Sequence, residues 1–291
     1  MKLITFGDSW VWGDELLEEK EFTPVNNTSS ALSHEYNTFK HTNNIGGVVN
    51  KNHKFDDYIN YATNGGSNQH IIYDLMNYMN SEDYNTNDLI LVGLTSPMRH
   101  IIYSNVSKGP LTWPGWDYDS YMSYGDPSLP GNVDFENWWK SHIKVNINKR
   151  NDILSYTQSC LSIKALLSNH KKYLVWQSID GNFWEPEEGF TEVYLEKYTT
   201  KSPESNLIIG DTHNFILKKE NLKKELARGT VESQIWINLE QQDWKSWLEE
   251  NYDHDEVFVW SSNHPNTDGI LVWYETVLKQ KILKIIKKNL I

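Results

Sequence analysis

Short apolar runs alternate with longer amphipathic ones along this chain. Residues 2–6 (KLITF), 57–62 (DYINYA), 88–94 (DLILVGL), 172–179 (KYLVWQSI) and 256–260 (EVFVW) are brief and rich in β-branched and aromatic residues. That pattern predicts five strands. Between them the apolar spacing becomes helical. Residues 69–80 place Ile72, Leu75, Met76 and Met79 on one face. Residues 152–168 do the same with Ile153, Tyr156, Cys160, Ile163 and Leu167. The segment 267–288 carries Ile270, Trp273, Tyr274, Val277, Leu278 and Ile285, and ends in two lysines that suit a helix C-terminus. Strands alternating with helices predict an α/β chain whose mostly parallel sheet is covered on both faces.

Two stretches break the rhythm. Residues 100–148 are rich in Pro, Gly, Trp and Tyr, and loops this long inside compact domains are often functional. Residues 181–252 read as a loop followed by helices at 218–228 and 231–250. Both stretches are read as insertions on a single domain spanning 1–291.

Composition narrows the function. A net charge of −12 lacks the basic footprint that sequence-independent nucleic-acid binding needs, and it disfavours anionic membrane surfaces. No run approaches the ~18 apolar residues of a membrane span. The N-terminal apolar run is too short for a signal peptide, because it leads at once into Asp8. One cysteine, Cys160, excludes an internal disulfide framework. No glycine-rich nucleotide fingerprint is present, and the acidic run 253–256 reads as a solvated loop. No metal or cofactor is expected.

In an open parallel sheet, ligands bind beyond the carboxyl ends of the strands. The residues that follow each expected strand are therefore informative. Gly7-Asp8-Ser9-Trp10 follows the first. Asn60 to Asn68, with Gly65, Gly66 and Ser67, follows the second. Gly93-Leu94-Thr95-Ser96 ends the third. Ser261 to Gly269, with His264, follows the fifth. A serine, a glycine turn with backbone N–H groups, hydroxyls and a histidine converge on one edge. That set suits nucleophilic acyl transfer.

These residues carry a resemblance. Gly7-Asp8-Ser9, then Asn60, Ala62, Gly65 and Ser67, then His264, Pro265 and Gly269 are similar to the sequence blocks of the SGNH (GDSL-like) hydrolase superfamily. The resemblance implies a three-layer α/β/α, flavodoxin-like fold. It implies Ser9 as nucleophile, His264 as base, and the N–H groups of Ser9 and Gly65 as oxyanion donors.

Two departures stand out. Thr95 occupies the position of the family's oxyanion-binding Asn, and its hydroxyl has shorter reach. Thr95 is expected to assist, or Asn68 to supply an amide in its place. Ser261 stands where the family has the Asp that orients the histidine. Asp180, just beyond the fourth strand, is the favoured substitute, because that strand should neighbour the fifth. Asp8 is read as a cap on the first turn.

The expected function is hydrolysis of an ester by a Ser–His centre, with a non-standard or absent acid. The chain has 13 Trp and 16 Tyr, seven of which cluster between Trp113 and Trp139, and such rings stack on sugar faces. Trp10, Trp113 and Trp116 are therefore expected to line the substrate site, and an acetyl ester on carbohydrate is the first substrate expected. The rival expectation is a weakly catalytic or non-catalytic carbohydrate-binding or structural protein, such as a virion component. The aromatic, Asn-rich sequence with its GDSW start is also similar to phage-encoded members of the superfamily, which fits either reading.

Overall fold

The computed structural model describes residues 1–13, 16, 38–63, 66–97, 101–102, 118–119, 149–179, 219–237, 243–259 and 264–287. Its elements run β1 (Leu3–Phe6), α1 (Ser9–Trp12), α2 (Ile45–His53), β2 (Tyr58–Asn60), α3 (Asn68–Met79), β3 (Leu89–Leu94), α4 (Lys149–Leu166), β4 (Tyr173–Gln177), α5 (Lys219–Ala227), β5 (Gln234–Trp236), α6 (Trp244–Asn251), α7 (His254–Val257), α8 (Thr267–Trp273) and α9 (Lys279–Lys287). A helical turn at 38–43 precedes α2. A π-helical turn, Tyr274–Leu278, joins α8 to α9. Ile101–Ile102 pairs antiparallel with Tyr118–Asp119, apart from the main sheet.

The main sheet has the order β2-β1-β3-β4-β5, and every pairing in it is parallel. This is the flavodoxin-like order, whose direction of winding reverses between β1 and β3. Side-chain alternation divides the core in two. Leu3, Leu89, Leu91, Leu174 and Trp176 face one layer, where Ile45 and Val49 of α2, Trp244 and Leu248 of α6, and Ile270 and Trp273 of α8 cover them. Ile4, Phe6, Ile90, Val92 and Val175 face the other, under Ile71 and Leu75 of α3, Tyr156 and Cys160 of α4, and Leu222 and Leu226 of α5. The result is three layers, α/β/α.

Two sequence expectations are corrected. The fifth strand is Gln234–Trp236, not 256–260. It falls inside 231–250, which was expected to be helical, so the span 181–252 contributes to the sheet. Ile235 and Ile237 point to one layer and Trp236 to the other, a period-2 pattern only three residues long at a sheet edge. Residues 254–257 form a helical turn instead, and Phe258 makes only an isolated bridge to Pro265. The apolar run there is explained by burial: Val257, Phe258 and Val259 are all in the core. A short apolar run reports burial and does not by itself report a strand.

The second correction concerns α3. Its buried face is Ile71, Leu75 and Tyr78, one residue round from the expected stripe, and Met76 is 43% exposed. Tyr78 decides the rotation. Its ring packs on Phe6 and its hydroxyl reaches Asp88.

Candidate active site

The turn after β1 is set by two close approaches. A Cβ at Gly7 would stand 2.3 Å from Val11 Cγ2, and one at Gly93 would stand 2.4 Å from the same atom. Glycine at both positions lets the one-turn helix α1 lie directly on the ends of β1 and β3. Asp8 caps that helix. Its Oδ1 accepts the Trp10 N–H at 3.1 Å, as expected of a helix N-cap. Gly13 ends it in the left-handed region, with φ of 79°.

Ser9 is thereby the first residue of α1. Its N–H meets no acceptor among the described residues, in keeping with the unpaired donors of a helix start. Its Oγ lies 2.8 Å from His264 Nε2. These two residues are 255 positions apart in sequence, and the fold brings them into hydrogen-bond contact.

His264 is held by a tight local frame. Its carbonyl accepts the Val259 N–H at 2.9 Å. The next residue but one, Asn266, caps α8 by accepting the Gly269 N–H at 2.7 Å. The same side chain donates to the Glu256 carbonyl at 2.9 Å. One amide thus ties the helix start to the segment before the histidine. Gly269 permits this, since a Cβ there would meet the Val257 carbonyl at 2.1 Å. The imidazole lies beside Trp10, with ring centroids 6.3 Å apart.

The turn after β2 closes on the same place. The Thr63 N–H donates to the Gly7 carbonyl at 3.0 Å. A Cβ at Gly66 would come within 3.3 Å of the Gly7 carbonyl and 3.6 Å of Asp8 Cα. Ser67 caps α3. Gly65 lies outside the described residues, as do Asp180, Trp113, Trp116 and Ser261.

Thr95 and Asn68 form a reciprocal pair. The Thr95 N–H donates to Asn68 Oδ1 at 3.0 Å, and Asn68 Nδ2 donates to the Thr95 carbonyl at 3.1 Å. The Thr95 hydroxyl donates its one proton to Asp8 Oδ2 at 2.7 Å. That proton is therefore committed, which corrects the expectation of an oxyanion donor at Thr95. Asn68 keeps a second Nδ2–H, for which no acceptor occurs among the described residues.

Trp10 is also reassigned. It is 3% exposed and packs edge-on against Trp244 at 5.3 Å and Phe258 at 6.1 Å. It supports the histidine ring from within the core and presents no open face to a ligand. Asp180 is favoured on the expectation that β4 neighbours a strand leading to His264, but residues 256–259 form no strand of the sheet.

Sequence reasoning missed Gln177, the polar residue that ends the apolar run of β4. Its amide donates to the Thr95 carbonyl at 2.8 Å and the Ile179 carbonyl at 2.6 Å, and its Oε1 accepts from the Tyr156 hydroxyl. A polar residue closing a buried strand was the available signal. Two other reactive groups are not rivals. Burial pushes the Cys160 thiol up to about 12, which makes it a poor nucleophile. His170 sits at the opposite end of the sheet, between Tyr84 and the Asp88 carbonyl.

No protein-family model matches the chain, and no curated protein matches it. One solved structure to which it is similar is a member of the lipolytic protein G-D-S-L family from Veillonella parvula DSM 2008. The two share 12% identity over 96% of this chain and 99% of that one, with a TM-score of 0.40. The fold assignment rests on the chain's own sheet order.

Proposed function

We propose that the chain is a serine ester hydrolase. The observation that carries this reading is the 2.8 Å contact between Ser9 Oγ and His264 Nε2 at the carboxyl edge of a parallel sheet. The contact lies where β1 and β3 diverge in winding, the place where ligands of such sheets bind.

In this mechanism Ser9 Oγ attacks the ester carbonyl carbon while His264 Nε2 takes its proton. The carbonyl oxygen becomes an oxyanion, held by the N–H groups of Ser9 and Gly65 with the Asn68 amide assisting. The imidazolium then gives its proton to the departing alkoxide, leaving an acyl-Ser9 ester. Water, deprotonated by His264, attacks that ester and releases the acid. Asp180 is the first residue to test as the group that orients His264. Aromatic residues of 100–148, Trp113 and Trp116 among them, are assigned to the alcohol side of the substrate. An acetyl ester on carbohydrate is the class they suit.

Turnover of an aryl acetate and of an O-acetylated oligosaccharide tests the reading. Both activities are expected to vanish in Ser9→Ala. An Asp180→Asn variant with undiminished turnover removes Asp180 from the mechanism. Folded wild-type protein that hydrolyses neither ester leaves the rival, a binding or structural role.

A further inference from the structure

We infer that Thr95 is a positioning residue that sets the nucleophile turn through Asp8. The inference rests on the serine hydrolase reading for its kinetic consequence, and on geometry alone for its structural one.

Thr95 is fully buried. It is also the point where four strand-end turns meet. Its hydroxyl holds Asp8, in the turn after β1, at 2.7 Å. Its N–H and carbonyl pair with the side chain of Asn68, the first residue of α3, which follows β2. It stands itself at the end of β3. Its carbonyl accepts from Gln177, the last residue of β4, at 2.8 Å.

Asp8 passes this constraint on. One carboxylate oxygen takes the Thr95 hydroxyl, and the other caps the helix that begins with Ser9. The Asp8 carboxylate is fully buried, so each donor to it matters more than at a surface. Removing the Thr95 hydroxyl takes away the donor that ties Asp8 Oδ2 to the end of β3. The helix start, and Ser9 with it, then loses its fixed aim at His264. This gives residue 95 a different task from an oxyanion donor, whose hydroxyl would point at the substrate.

The test is a cycle of variants read by two measurements. Thr95→Val keeps the shape and removes the hydroxyl, while Thr95→Ser keeps the hydroxyl. Asp8→Ser keeps a capping oxygen at the start of α1 but is too short to reach residue 95 as well. The first measurement is the rate at which a fluorophosphonate labels Ser9. Thr95→Val and Asp8→Ser are each expected to slow it about tenfold or more, the scale of one hydrogen bond to a buried charge. Thr95→Ser is expected to stay within about threefold of wild type, and the double variant Asp8→Ser/Thr95→Val to be no slower than the slower single. Wild-type labelling in Thr95→Val, or losses that multiply in the double variant, would overturn the inference.

The second measurement is amide hydrogen exchange over residues 7–13. Faster exchange there in Thr95→Val, but not in Thr95→Ser, is expected. Unchanged exchange counts against the inference even if the chain proves not to react with the probe. A wild-type protein that resists the probe defeats the hydrolase reading alone, and the exchange result then decides the positioning claim.

Discussion

At the scale of single residues, the reading turns on which polar atoms are already committed. The Ser9 hydroxyl faces a histidine, and the Thr95 hydroxyl faces a carboxylate. Only the first is placed for proton transfer. His264→Ala is therefore expected to lower ester turnover by about 10²–10⁴, the usual contribution of a general base, with KM changed far less. Steady-state kinetics on an aryl acetate checks this. That Ser9 and His264 come together was legible in the sequence because each sits in a short, recognisable local motif. The Thr95–Asp8 bond was not, because it joins residues 87 positions apart and depends on how two turns pack. The burial of Trp10 was hidden for the same reason. Its neighbours Trp244 and Phe258 arrive from segments that the sequence does not place beside it.

At the scale of elements, two glycines and one asparagine fix the site. Gly93→Ala puts a methyl against Val11, Ser178 and Trp176, all packed in the core. A loss of about 1–3 kcal/mol in urea unfolding is expected, as for other overpacked positions, together with reduced activity as α1 is pushed off the sheet. Asn266→Ala removes the cap of α8 and the link to Glu256 together. About 1 kcal/mol of stability should go, with a fall in activity larger than that stability loss alone would produce. Strong strands such as β3 were legible, because six consecutive buried residues admit few other readings. β5 was not, because three half-exposed residues at a sheet edge carry little pattern. The run 256–260 was misread because a segment lining the histidine is as apolar as a strand.

At the scale of the whole molecule, the parallel sheet and its two helical layers followed from the alternation of runs. The strand order could then be expected only through family likeness. The core supplies a direct check. Leu91 lies at the centre of β3 between β1 and β4 and is fully buried. Leu91→Ala should cost about 2–5 kcal/mol by chemical unfolding. The molecule also carries a built-in response to acid. His170 is buried, and desolvation holds its imidazole below the ordinary 6.5, against weaker opposing contributions from Asp88. The folded form thus binds fewer protons than the unfolded chain in the window just below that value. Its stabilising contribution is complete above 6.5 and is lost as the pH falls toward the lowered folded value. Unfolding midpoints should therefore drop on acidification through that window, and drop less in His170→Asn.

The central claim is that Ser9 is a nucleophile activated by His264. Intact-mass spectrometry after treatment with a fluorophosphonate tests it most directly. A single adduct mapping to Ser9, absent from Ser9→Ala and formed far more slowly in His264→Ala, is the predicted result. Folded wild-type protein that gains no adduct, or an adduct that persists in Ser9→Ala, would contradict it.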